Sequence, residues 1–264
     1  MQYDISHLVN YQELASGPVQ SDEALFLFSL VKVLRPKVLV EIGFFQGHSA
    51  KNFLTALPEN SQFYSFDCGP ESLKIASQIA DPRFKFIFKK QQDFQFSDID
   101  NNLIDFLFID AAHDLNLNFL LFEKIRKYLS KEAIIAIHDT GSWNKELAHE
   151  VPIFKNHIAQ MRLEDSKSDI NDFEFAHQPD ERRFVNFIKL LHPEFQQIHL
   201  HSLNTIRHGL TILQPYKELP LKRAGTMSVL KQALKKFFPF LAIGIFKMRL
   251  MSESQKMKQA AQKE

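Results

Sequence analysis

One cysteine, Cys68, is all that the chain offers to disulfide chemistry, so no internal bridge can form and the reducing cytoplasm is the expected location. The basic-then-apolar opening of a signal peptide is missing, in keeping with that location. No apolar stretch approaches the roughly 18–20 residues of a spanning helix. The net charge is only +1 over 264 residues and names no partner. No internal repeat is visible, and the Gly-x-Gly-x-x-Gly run of a nicotinamide site is absent, which disfavours such a site. What the chain has in quantity is phenylalanine, 26 residues within a hydrophobic content of 45%. That supplies a core and excludes whole-chain disorder.

The charge is unevenly spread. Lys217 to Glu264 hold 11 Lys and Arg against 3 Glu, whereas residues 1–216 hold 21 against 28. An acidic body argues against gripping nucleic acid along its face. The basic segment mixes Lys and Arg with bulky apolar residues over 229–250, broken by Pro239 and Gly244. Two readings fit it: a helix in an anionic membrane interface, or helices packed on the body or on a second subunit, which would make the protein a homo-oligomer. We therefore divide the chain into a body, 1–216, and a basic amphipathic helical tail, 217–264.

Along the body, Ser21 opens a helical pattern that Arg35-Pro36 stops. Apolar runs then alternate with helical spacing: strands at 38–43, 62–67, 84–90, 103–110 and 133–138, and helices at 49–57, 71–80 and 115–129. Such alternation predicts an α/β architecture, a doubly wound parallel sheet with right-handed crossovers. After a possible helix at 144–161 and a polar stretch at 164–172, a candidate substrate-selecting loop, helical spacing returns at 181–191. Strands at 195–201 and 209–214 would then close the sheet with one antiparallel member.

The polar residues fall where strands end. Gly43 and Gly47 bracket the turn after the first strand, where a backbone without Cβ lets a ligand approach N–H groups at a helix N-terminus; a tight turn alone would also explain them. Asp67 ends the second strand and can accept hydrogen bonds from both hydroxyls of a ribose, or cap the next helix. Gln91-Gln92-Asp93 could border a purine or be a plain polar loop. Phe106-Leu-Phe-Ile-Asp-Ala-Ala-His113 and Ile134-Ile-Ala-Ile-His-Asp-Thr140 bring Asp110, His113, His138 and Asp139 to one edge, as a catalytic pocket or as helix caps and structural histidines.

With these motifs in hand the chain resembles the class I S-adenosylmethionine-dependent methyltransferases, in the small-molecule O-methyltransferase and cephalosporin-hydroxylase-like branch. The resemblance spans roughly residues 20–216 and rests on Val38-Leu-Val-Glu-Ile-Gly-Phe-Phe-Gln-Gly-His-Ser49, Asp67, Phe108-Ile-Asp-Ala-Ala-His113 and Ile137-His-Asp-Thr140. It implies a mostly parallel seven-stranded sheet with a reversed last strand. It further implies that Glu41, Gly43, Gly47 and Asp67 contact S-adenosylmethionine, and that Asp110 and Asp139, with His138 beside them, hold a divalent metal such as Mg²⁺ or Mn²⁺. In catechol-type relatives Asn stands where Thr140 stands here. Imidazole is a reluctant Mg²⁺ ligand, so His138 points toward Mn²⁺, Fe²⁺ or Zn²⁺. Asp110 and His113 become the catalytic pair, with His113 as base, and the expected reaction is methyl transfer to a hydroxyl of a small molecule or sugar-containing, glycan-type acceptor. A hydroxylase-like enzyme of the same fold and a non-catalytic, membrane-associated binding protein are the alternatives.

Overall fold

The computed structural model describes Val19 and residues 21–141, 178–200 and 209–215. The elements are α1 (Ser21–Leu34), β1 (Val38–Ile42), α2 (His48–Ala56), β2 (Gln62–Asp67), α3 (Pro70–Ala76), β3 (Phe84–Phe88), β4 (Ile104–Ile109), α4 (Leu115–Ile125), β5 (Leu129–His138), α5 (Gln178–Leu191), β6 (Phe195–Leu200) and β7 (Leu210–Pro215). One seven-stranded sheet runs β3-β2-β1-β4-β5-β7-β6. β1 to β5 pair in parallel, and β7 lies antiparallel between β5 and β6. The expected α/β sheet with a reversed last strand is therefore present. The helix expected at 144–161, the polar loop at 164–172 and the basic tail lie outside the described residues.

Period-two alternation along the strands builds the two layers. Phe106 and Phe108 point into one core with Ala24, Leu27, Phe28 and Val31 of α1 and Phe53 of α2. Leu107 and Ile109 point into the other with Leu121, Phe122 and Ile125 of α4 and Phe184, Val185 and Ile188 of α5. The aromatic excess is spent here: the Phe53 ring meets the Phe63, Phe106 and Phe108 rings edge-on at 6.0, 5.8 and 5.3 Å between centroids, arrangements favoured by ring quadrupoles.

Several boundaries differ from the sequence reading, among them the end of α4, at Ile125 instead of 129, where a 3-10 turn over Arg126–Tyr128 takes over; two others have a clear local cause. α3 closes at Ala76 instead of residue 80, because Gln78 and Ile79 donate to Ile75 and Ala76, three residues back, and so tighten the last turn out of α geometry. β5 begins at Leu129 instead of 133; Ile104 pairs with Leu129 but Phe106 with Ile134, an irregularity that absorbs the extra residues. Neither difference moves the strand tips. Ile42 is level with Phe66 and Ile109, and Ile109 with Ile137, so Gly43, Asp67, Asp110 and His138 emerge together at the carboxyl edge. There β1 lies between β2 and β4, the switch point at which open α/β sheets bind ligands.

Candidate active site

The turn after β1 is held from below and from the side. Gly43 has φ +102°, and a Cβ there would lie 1.8 Å from the Asp110 carbonyl oxygen. β1 and β4 thus approach at a distance that only glycine permits. Gly47 is the N-cap of α2, at φ 74°. Asp67 Oδ2 accepts the N–H groups of Phe44 at 3.0 Å and Phe45 at 2.8 Å, and its Oδ1 that of Gly69 at 2.7 Å. The residue at the N-cap of α3 is Gly69, so Asp67 is not that cap; it ties the tip of β2 to the glycine turn.

Glu41, expected at the cofactor, is fully buried, and its two oxygens accept the hydroxyls of Ser49 and Ser65, each at 2.5 Å. One hydroxyl comes from the start of α2 and the other from β2, so the carboxylate ties the two elements together. Burial pushes its pKa up from 4.5 to about 8, although the two hydroxyls pull the other way. Folded protein thus keeps a proton that the unfolded chain releases above 4.5. The resulting stability is complete below pH 4.5 and is lost as pH rises through about 8. Urea unfolding between pH 5 and 8 should show the folding equilibrium weakening by up to about tenfold per pH unit, and Glu41→Gln should flatten that slope.

At the other half of the edge, Asp110, His113 and Asp139 bring donor atoms within 4.8 Å of one another. The cap of α4 is Asp114, which accepts from Asn116 and Leu117, so Asp110 is not spent there. His113 and Asp139 both have positive φ, 47° and 58°, backbone strain of the kind that collects at functional sites. His113 Nε2 lies 3.3 Å from Asp139 Oδ2, and its Nδ1 3.1 Å from Glu181 Oε1. His138 Nδ1 lies 3.3 Å from Asp110 Oδ1 and 3.5 Å from Asp139 Oδ1, and its Nε2 3.0 Å from Glu23 Oε2. Acids and imidazoles therefore alternate: Glu23, His138, the aspartate pair, His113, Glu181.

Burial alone would lower the pKa of both rings. For His113 the bond to Glu181 and the charges of Asp139 and Asp110 outweigh it and raise the pKa to about 9. Asp110, Asp139 and Glu23 do the same for His138, which is raised well above 6.5. Burial raises Glu181.

Glu23 and Glu181 carried no functional expectation from sequence. Each stands in the first turn of a helix, where an acid ordinarily reads as a dipole complement. A second signal was available: Glu23 is in phase with Leu27 and Val31, and Glu181 with Phe184, Val185 and Ile188, so each acid lies on its helix's buried stripe. Gln91 is also buried; it donates to Asn118, which donates to Glu181, and it accepts the Ala112 N–H. It braces the Asp110–His113 turn. Thr140 is buried, and its hydroxyl accepts from Thr211.

A family model described as "Methyltransferase domain" matches residues 40–140. Tapetum-specific methyltransferase 1 of Arabidopsis thaliana is 33% identical over 142 residues, covering 49% of this chain and 58% of that protein. Caffeoyl-CoA O-methyltransferase 2 of Petunia hybrida is 29% identical over 133 residues, covering 47% and 54%. The chain thus spans little more than half the length of these two curated relatives. Among solved structures, an O-methyltransferase from Bacillus cereus in complex with SAH superposes with a TM-score of 0.55 at 19% identity, over 75% of this chain and 82% of that one. An O-methyltransferase from Streptomyces achromogenes in complex with SAM gives 0.53 at 15%, over 76% and 82%. At those identities the structures speak for the fold.

Proposed function

We propose that residues 40–140, which match the family model described as "Methyltransferase domain", form a class I S-adenosylmethionine-dependent O-methyltransferase that methylates a hydroxyl of a small-molecule acceptor. One observation carries the reading: the glycine turn and the acid–imidazole cluster are a single place, since the Gly43 backbone abuts the Asp110 carbonyl. Donor and acceptor would thereby sit on adjoining strand tips, within reach of an in-line displacement.

S-adenosylmethionine would supply the methyl group as a sulfonium, and a divalent cation would lower the pKa of the acceptor hydroxyl. The tight turn that Gly43 and Gly47 permit, closed against Asp110 and the Phe44 ring, is where the cofactor would lie, and Asp67 is the acid we assign to its ribose. Glu41 acts indirectly, by holding Ser49 and Ser65. Two carboxylates and imidazole nitrogens suit a divalent ion, with Asp110, Asp139 and His138 as the residues that would hold it. His113, turned by Glu181, presents Nε2 as the atom that receives the hydroxyl proton. Asp110 and Asp139 also hold the proton on His113, so neutralising those carboxylates frees the ring to act as a base.

A small catechol-type or sugar-containing acceptor fits these parts, and we keep the body at 1–216 and the tail at 217–264 as the working division. Titration calorimetry with S-adenosylhomocysteine is the direct test. Micromolar binding is expected, and Asp67→Ala should weaken it roughly 10–100-fold by removing charge-assisted hydrogen bonds. No binding at millimolar cofactor refutes the activity, whereas an unchanged affinity in Asp67→Ala refutes only the ribose assignment.

A further inference from the structure

A neutral imidazole that donates one N–H to a carboxylate presents a lone pair at its other nitrogen, which is how outer carboxylates orient metal-bound histidines. The contacts of His138 suit that arrangement when a cation lies between the aspartates. Its Nε2 lies 3.0 Å from Glu23 Oε2, while Nδ1 faces Asp110 and Asp139 at 3.3 and 3.5 Å. Glu23 is itself anchored, because its Oε1 accepts the Gly209 N–H at 2.8 Å. Gly209 in turn sits so close to Gly141 that a Cβ on it would lie 2.2 Å from the Gly141 carbonyl oxygen. The ring orientation is thus fixed from α1 and from the start of β7 together.

The two histidines of the cluster are about equally near the aspartates; His113 Nε2 lies 4.0 and 3.3 Å from Asp110 and Asp139. Exposure separates their roles. The His113 side chain is 27% exposed and can pass a proton to or from an acceptor, whereas that of His138 is 1% exposed and cannot meet one. A sealed imidazole aimed at two carboxylates is suited to ligation.

Resting on the reading of Asp110 and Asp139 as cation ligands, we propose that Glu23 is a positioning carboxylate that holds His138 Nδ1 as a nitrogen donor to the same cation. The site then selects Mn²⁺, Co²⁺ or Zn²⁺ over Mg²⁺, because a hard Mg²⁺ ion seeks oxygen ligands whereas imidazole suits the transition ions.

The test uses the full chain stripped of metal, with Mn²⁺, Mg²⁺ and Co²⁺ titrated separately and S-adenosylhomocysteine binding as the check on folding. Mn²⁺ should bind at least about tenfold more tightly than Mg²⁺, Co²⁺ should develop visible d–d bands, and bound Mn²⁺ should show nitrogen hyperfine coupling. Glu23→Gln should weaken Mn²⁺ and Co²⁺ roughly 10–100-fold and leave Mg²⁺ and S-adenosylhomocysteine nearly unchanged. Equal affinity for Mg²⁺ and Mn²⁺, or full Mn²⁺ affinity in Glu23→Gln, overturns the proposal. Should Glu23→Gln lose S-adenosylhomocysteine as well, His138→Gln decides: a nitrogen coupling or a Mn²⁺ preference that survives in it overturns the assignment. Wild-type protein that binds S-adenosylhomocysteine but no divalent ion removes the metal-assisted reading and this inference with it. Wild-type protein that binds the ions but not S-adenosylhomocysteine fails the methyltransferase reading and leaves the inference standing.

Discussion

Gly43→Ala is expected to abolish S-adenosylhomocysteine binding and to destabilise the fold by on the order of 3–5 kcal/mol. The added Cβ would lie 1.8 Å from the Asp110 carbonyl oxygen and 2.6 Å from its carbon, both backbone atoms of the β4 tip. That tip has little freedom to retreat, because Asp110 donates its N–H to Ile42 at 2.8 Å. The φ of +102° is itself closed to side chains. Gly47→Ala makes a useful contrast. Its φ of +74° is milder, and its new contact, at 2.7 Å, is with the end of the Phe44 ring, so a loss of about 1–2 kcal/mol is expected. Urea unfolding and calorimetry on both variants check the difference. A Gly43→Ala protein with wild-type stability would mean that β1 and β4 do not meet as described.

Strand-borne features were the ones open to sequence reading, and the reason is geometric. A parallel strand delivers its last residue to one edge regardless of what surrounds it, so Asp67, Asp110, His138 and Asp139 could be placed together from apolar runs alone. Glu23 and Glu181 were hidden because helix position is read modulo a turn and an acid in the first turn has a ready explanation in the dipole. Only packing reveals that these two face inward, 115 residues from His138 in one case and 68 from His113 in the other. Glu41 was legible as part of a motif, yet its environment was not. The hydroxyls of Ser49 and Ser65 converge on it from two different elements, and no spacing along one strand announces that. Gln91 was open between ligand contact and loop for the same reason, since its partners Asn118 and Ala112 lie on later segments.

The alternation of acids and imidazoles sets the last and largest expectation. His113→Ala should lower methyl transfer roughly 10²–10⁴-fold, the usual worth of a positioned base, while leaving S-adenosylhomocysteine affinity within about twofold, since the ring lies on the acceptor side of Gly43. Asp110→Asn should produce a comparable fall by a different route: it removes a charge that faces both imidazoles and one of the carboxylates assigned to the cation. The two losses should not add fully, because residues acting as a unit share one step. Glu181→Gln separates positioning from chemistry. It retains the base but weakens the charge that orients it at 3.1 Å, so a smaller fall is expected, with the limb of the pH–rate profile that reports His113 moved to lower pH, because the carboxylate that raises its pKa is gone. Release of S-adenosylhomocysteine with a panel of catechols and free sugars provides the assay. With any acceptor that turns over, unchanged rates in both His113→Ala and Asp110→Asn would refute the roles given to this edge of the sheet.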